Sequence, residues 1–339
     1  MLAILEEKGA GALMHYDIEG DWNLLNTCNY RCTYCLVPYD LLGEKLTEHA
    51  EPETWKQSFD RTGLTWLLHL TGGEPSVYPA FAKLCQLLTE KHYLSLNSNL
   101  SNPSLVEFAK RVDPSRIRFI NAGLHAKERE SRRGLEKFLK HAAFLKEHGF
   151  PLFISIVATP DVLHRADEII ALTKPIGLIP IPKLLRGPHE GKIYPEAYNA
   201  SDKTAFVEFA NRARSCASFI SALAERPTID VFGDEDYLDG TPDFRGRMCS
   251  AGIKFVSLEA DGKVYRCEKK QTNYLGNLLD SSFKTAERSY CDSSYCYYWC
   301  LKYSEEPKFG SVSYLRNTKL SRRIRRTAAW RAVRAYRAF

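Results

Sequence analysis

Cys28-Asn29-Tyr30-Arg31-Cys32-Thr33-Tyr34-Cys35 is the stretch that decides how this chain reads. Its spacing, C-x3-C-x2-C, puts three thiols on one short loop. Three thiolates so placed can ligate three irons of a [4Fe–4S] cube and leave the fourth iron without a protein ligand, open to chemistry. A structural zinc site wants a fourth ligand close by, commonly as two C-x2-C pairs, and none stands near.

Further along, Leu67-Leu68-His69-Leu70-Thr71 reads as a buried strand that runs straight into Gly72-Gly73-Glu74-Pro75, 37 residues after Cys35. Two glycines let the backbone approach a ligand closely, Glu74 offers an acceptor at the strand's C-terminal end, and Pro75 ends the strand. Together the two motifs resemble the radical S-adenosylmethionine (SAM) superfamily. The resemblance implies that Cys28, Cys32 and Cys35 hold a [4Fe–4S] cluster whose open iron is chelated by SAM. It implies that Tyr34 lies near the adenine and that Gly72, Gly73, Glu74 and Pro75 bind the SAM amino group. The implied chemistry is reductive cleavage of SAM to a 5′-deoxyadenosyl radical, which abstracts hydrogen from a substrate. An electron donor such as flavodoxin or ferredoxin is implied with it.

Strand and helix patterns alternate along the first 200 residues. Strands are expected at Asp21–Asn26, Leu64–Thr71, Tyr93–Ser98, Arg116–Asn121, Pro151–Ala158 and Ile176–Pro182. Helices are expected at Glu53–Arg61, Pro79–Lys91, Ser104–Arg111, Arg132–His148 and His164–Lys174. Near-continuous apolar runs such as Leu152 to Val157 suit parallel strands covered on both faces. Six β/α units with right-handed crossovers are too few to close an eight-strand barrel. The expected fold is therefore α/β, an open (β/α)6 partial TIM barrel, which is also the superfamily's core. Ligands in such sheets gather at the strands' C-terminal ends. That makes Asn97 and Asn99 after the third strand, and Asn121 after the fourth, candidate SAM contacts, with His125 as a group that orients substrate or caps the next helix.

Beyond residue 200 the character changes. A helix is expected from Thr204 to Arg226, then a second cysteine set: Cys249, Cys267, Cys291, Cys296 and Cys300. Two alternating runs around Asp261-Gly262 signal a β-hairpin that brings Cys249 and Cys267 together. The pattern resembles the small SPASM and twitch extensions of the same superfamily, and five cysteines rather than seven favour a twitch-like domain with one auxiliary [4Fe–4S] cluster. The resemblance implies Cys249, Cys267, Cys296 and Cys300 as its ligands, with Cys291 spare; zinc on four of these thiolates is the alternative. Glu268, directly after Cys267, is the candidate base, although Lys269 and Lys270 beside it would lower its pKa. The domains expected are 1–200 (barrel core), 201–248 (helical linker), 249–305 (cluster domain) and 306–339 (tail).

The chain carries a formal charge of +6, and Arg316 to Phe339 holds nine basic residues and no acid, so the rest sits at −3. Such a tail suits an anionic surface or an acidic partner. No run of apolar residues is long enough to span a membrane, and ten cysteines without an export signal point to metal ligation in a reducing, cytoplasmic setting. The functional expectation is oxidation of a small molecule such as a sugar, aminocyclitol or nucleotide derivative, with the auxiliary cluster accepting an electron. The alternatives are a small-molecule epimerase, a maturase of ribosomal peptides, and a non-catalytic iron–sulfur or zinc protein.

Overall fold

The computed structural model describes residues 14–35, 37, 49–215, 233–239, 243–267, 273–293, 296 and 303–305. Cys216, Glu268 to Lys270, Cys300 and the Arg-rich tail lie outside them.

Six strands follow in chain order: β1 (Ile18–Leu25), β2 (Trp66–Gly72), β3 (Tyr93–Ser98), β4 (Ile117–Gly123), β5 (Leu152–Val157) and β6 (Ile181–Lys183). Each pairs in parallel with the next. Between them run α1 (Pro52–Arg61), α2 (Phe81–Thr89), α3 (Ser104–Arg111), α4 (Ala126–Arg132), α5 (Leu135–Glu147), α6 (Pro160–His164) and α7 (Ala166–Thr173). Spatial order that equals chain order, with right-handed crossovers, sends every helix to the same face of the sheet. Trp22 shows which face that is: it is fully buried and meets Trp55 and Phe59 of α1 edge-on, at ring separations of 4.7 and 5.1 Å. The alternate residues Glu19, Asp21 and Asn23 therefore point to the inner face.

The expected elements are present with shifted ends. β1 begins three residues earlier than the pattern suggests, because Glu19 and Gly20 read as polar punctuation yet are fully buried or near it. The helix expected at Arg132–His148 is α5, which starts at Leu135 after Arg133 turns left-handed at φ 52°; α4 before it and the short α6 have no counterpart among the expected helices. β6 is shorter than expected because residues 174–176 form a 3-10 turn and Gly177 sits at φ 67°.

After β6 come a small hairpin of β7 (Gly187–His189) and β8 (Lys192–Tyr194), then α8 (Ala200–Ser215), which covers the first half of the helix expected there. The C-terminal segment contains β9 (Met248–Cys249), β10 (Phe255–Leu258), β11 (Lys263–Tyr265), β12 (Tyr274–Asn277), β13 (Ser289–Tyr290) and β14 (Ser304–Glu305). The hairpin around Asp261-Gly262 is β10–β11, closed by Gly262 at φ 83°. It does not stand alone. β10 pairs in parallel with β1, so among the described residues the sheet runs β12-β11-β10-β1-β2-β3-β4-β5-β6. Gly20 of β1 makes this seam close: a side chain there would strike Leu258 of β10 and Leu68 of β2. β13, β9 and β14 form a separate three-stranded sheet.

Since Val256 and Leu258 share one core with β1 and β2, Leu258→Ala should lower the whole sheet's stability by about 2–5 kcal/mol. Calorimetry should show a single unfolding transition at lower temperature; a second, independent transition would mean that the hairpin folds apart from the sheet.

Candidate functional site

The Cys28–Cys35 loop leaves the C-terminal end of β1, and its position is set by the loop after β2. Gly73 N donates to Leu25 O at 2.7 Å and Glu74 N to Thr27 O at 2.9 Å. Gly72 sits at φ 116°, and a Cβ on either glycine would run into the backbone carbonyl of Leu25 or Thr27. The two glycines thus dock one loop onto the root of the other, a contact no side chain allows.

Glu74 is 1% exposed. Its Oε1 accepts from Ser76 N (3.1 Å), Ser76 Oγ (2.5 Å) and Ser98 Oγ (2.6 Å), and its Oε2 from Asn99 N (2.6 Å). Burial pushes its pKa up while these donors oppose the shift. The carboxylate ties the end of β2 to the end of β3, and one lone-pair direction of Oε2 remains for any ligand. Pro75 begins the 3-10 turn that follows.

Asn99 is also engaged: its Nδ2 donates to Asn29 Oδ1 at 2.9 Å, and Asn29 in turn donates to Ser101. It braces the cysteine loop. Asn97 Oδ1 accepts from Asn121 Nδ2 across β3 and β4 at 2.9 Å. Asn121 Oδ1 and Asn23 Oδ1 are buried with no hydrogen-bond partner. Both belong to the inner-face ends of the strands, where unpaired buried acceptors call for a ligand or water.

Around the thiols, Tyr30 N donates to Cys28 Sγ at 3.4 Å. Tyr34 OH lies 2.9 Å from His125 Nδ1, and Cys32 Sγ lies 3.5 Å from the same nitrogen. Burial pushes Cys28 up to about 11 and Cys32 up to about 12. It pushes His125 down to about 3, so the imidazole is neutral at pH 7. His125 stands just before α4 at φ 45°, with no side-chain hydrogen bond to the helix end.

Arg129 carries no sequence signal, because Ala126 to Arg132 looks like a solvated charged helix. It is 2% exposed. It donates to the carbonyls of Asn99, Gly123 (3.0 Å) and Leu124 and to Tyr30 OH (2.9 Å), and its guanidinium stands 4.1 Å from the Phe138 ring centre. Burial lowers its pKa to about 10. This one cation binds the ends of β3 and β4 to the cysteine loop.

The second cysteine set gathers at the other end of the sheet. Cys249 and Cys296 are buried with Phe244, Ala251 and Phe255, and Cys267, Cys291 and Tyr303 pack against them. Cys291, expected as the spare, packs against the cluster that holds Cys249 and Cys296, as Cys267 does, because the chain at β13 runs beside β9. Phe255 starts β10 opposite Glu19 near the start of β1, so the two cysteine sets lie at opposite ends of β1, roughly 20 Å apart at the usual strand rise. Among the described residues no His, Cys, Asp or Glu side chains close on one another as a set of three or more around a single ion. Of the lone cysteines, Cys85 is plain core, fully buried in α2. Glu259 accepts from Asn23 at 3.1 Å on the inner face. Asp234 is tied to Arg186 at 3.2 Å and to Leu184 N, a structural contact.

A family model described as "Radical SAM superfamily" matches residues 22–172. The matched segment runs from β1 to α7 and contains both the cysteine loop and Gly72 to Pro75. The native structure of anSMEcpe with bound AdoMet is similar in fold, with TM-score 0.52 and 17% identity over 78% of this chain and 79% of that one. SuiB of Streptococcus suis bound to S-adenosylmethionine gives TM-score 0.51 and 15% identity over 78% of this chain and 64% of that one. No helix among the described residues is long and apolar enough to cross a membrane.

The residues present fit the superfamily's cofactors: three thiols on one docked loop, with unpaired amide oxygens nearby. Two outcomes follow from this geometry. Gly73→Ala should force the two loops apart, so that anaerobic reconstitution loses about half of the bound iron if two four-iron sites are present; full iron would show that the docking is dispensable. In metal-free protein at pH 8, raised pKa values leave Cys28 and Cys32 as thiolate at only about 10⁻³ or less. Mass spectrometry should find iodoacetamide on exposed Cys35 first, and equal labelling of all three would contradict the burial.

Proposed function

We propose that this chain cleaves SAM at a [4Fe–4S] cluster on Cys28, Cys32 and Cys35 and oxidises a small polar molecule on the inner face of the sheet. A second [4Fe–4S] cluster, on Cys249, Cys267, Cys291 and Cys296 with Cys300 as a further thiol, receives the substrate's electron. The observation that carries this reading is that Cys249 and Cys296 lie in one buried apolar cluster, with Cys267 and Cys291 packed against it, at the end of the sheet opposite the first three. A substrate between them would face Asp21, Asn23, Thr71, Asn97, Asn121 and Glu259, which suit a hydroxyl- or amine-bearing molecule such as a sugar, aminocyclitol or nucleotide derivative.

When bound, cluster and SAM supply a 5′-deoxyadenosyl radical and methionine. The protein's own part is orientation and exclusion of water. The loop after β2 offers the backbone groups of Gly72 and Gly73, and one remaining acceptor direction on Glu74, to the SAM amino group. Tyr34 flanks the adenine, and Asn97 and Asn121 hold the ribose side through their coupled amides. Glu268, directly after Cys267, takes the substrate proton. A flavodoxin- or ferredoxin-type protein supplies the reducing electron, and the Arg-rich tail offers an acidic partner a docking segment.

An anaerobic metabolite screen tests the reaction: the right molecule raises 5′-deoxyadenosine formation. A product lighter by two hydrogens means oxidation, whereas one solvent deuterium at unchanged hydrogen count means epimerisation and overturns the proposal. Reconstituted protein should hold about eight irons, and Cys291→Ala about four. Zinc in the second site, or eight irons after Cys291→Ala, would contradict the ligand set. Glu268→Gln should keep hydrogen abstraction while product falls by about 10²; unchanged product formation would remove Glu268 as the base.

A further inference from the structure

A buried acid and a buried imidazole lie inside the sheet, away from both cysteine loops' first contacts. Glu19 and His69 are each 0% exposed. His69 Nε2 is 3.2 Å from Glu19 Oε2, and His69 Nδ1 is 2.6 Å from Ser95 Oγ, itself 0% exposed. Tyr16 OH donates to Glu19 Oε1 at 2.6 Å, and Tyr303 hydrogen-bonds the same carboxylate. The contacts form one continuous chain across β3, β2 and β1: Ser95, His69, Glu19, Tyr16 with Tyr303.

Its two ends are different. At one end Tyr16 and Tyr303 both line a surface cavity of about 580 Å³, together with His15 and Lys254. At the other, Asp21 is the register partner of His69, and Asn97 follows Ser95 by two residues on the same face. Both are half-buried and border the inner-face space. Tyr303 also packs against the second cysteine set. The cavity end of the chain and those cysteines therefore share one end of the sheet.

We propose that this chain carries the substrate's proton out of the sheet's interior, at the same end by which its electron leaves; the proposal rests on the oxidation reading above. With Glu19 as acceptor, His69 holds its proton on Nε2 and accepts from Ser95 on Nδ1. A proton reaching Ser95 Oγ releases the hydroxyl's own proton to Nδ1, and Nε2 gives its proton to Glu19. The Tyr16 hydroxyl, which donates to Glu19 Oε1 at rest, turns to the cavity as the carboxyl proton turns toward the phenol, and it passes its own proton to water while taking the one from Glu19. One proton enters and one leaves, and every bond broken is replaced. Burial and the neighbouring carboxylate raise the pKa of both phenols, so they stay protonated between transfers. Electron and proton leaving together add no net charge to a low-dielectric interior, where an unpaired charge is costly. Glu268 and this chain are compatible, one taking the proton from substrate and the other conducting it.

The test is NMR of the full-length, anaerobically reconstituted protein with ¹⁵N-labelled histidine, reading solvent exchange of the His69 imidazole proton. In the unmodified protein that exchange should be about tenfold faster than in Tyr16→Phe combined with Tyr303→Phe, the scale of losing one hydrogen-bonded link. The backbone amides of β1 and β2 should keep their rates. Glu19→Gln, which keeps the shape and cannot carry a proton, should slow it likewise. Equal imidazole exchange in all three proteins overturns the conduit, as does a change that the strand amides follow, which would mean local opening. The measurement needs no substrate, so the oxidation reading, judged by product mass and iron content, can fail while the conduit stands, and the reverse.

Discussion

Two backbone hydrogen bonds hold the candidate site together: Gly73 to Leu25 and Glu74 to Thr27. They join the loop after β2 to the root of the cysteine loop after β1, and they exist only because neither Gly72 nor Gly73 has a side chain. Everything else at that end of the sheet secures this junction. Glu74 extends it to β3 through Ser98 and Asn99, Asn99 extends it to Asn29, and Arg129 closes it by binding the carbonyls at the ends of β3 and β4 to Tyr30. A charged network with this little exposure is exacting: each member removed leaves buried partners unpaired, at about 1–3 kcal/mol apiece. Glu74 is thus a structural tie between the ends of β2 and β3.

The opposite end depends on a different joint. β10 continues the sheet from β1, which brings the second cysteine set under the first strand. The inner face between carries polar groups from Glu19 and His69 up to Asn23 and Glu259, set among buried Leu67, Phe119 and Phe153, whereas the outer face is aromatic and aliphatic. The sheet buries acids and amides on one side and packs Trp22, Trp55 and Phe59 on the other.

The six strands, most of the helices between them and the placement of both motifs at strand ends could be read from apolar runs, helical periodicity and glycine placement, with the family resemblance pointing the same way. What could not be read were contacts made by residues that look ordinary in sequence. Arg129 sits in a stretch of charges typical of solvent-facing helix. Glu19 reads as the end of a polar approach to β1, yet it is wholly inside. That β13 returns to β9 and carries Cys291 to the cluster of Cys249 and Cys296 leaves no mark in the loop spacing. The pairing of β10 with β1 also escaped, since parallel partners 236 residues apart leave no local mark. Each miss is a non-local contact; each success is a local period or a turn.

The central claim is that the docked Cys28–Cys35 loop holds the cluster that cleaves SAM. The most direct measurement is 5′-deoxyadenosine release by the anaerobically reconstituted protein under dithionite with SAM. The unmodified protein should form it, and a variant with Cys28, Cys32 and Cys35 replaced by Ala should form none while keeping the iron of its second site. Release that survives in that variant, or is absent from fully loaded unmodified protein, would contradict the claim.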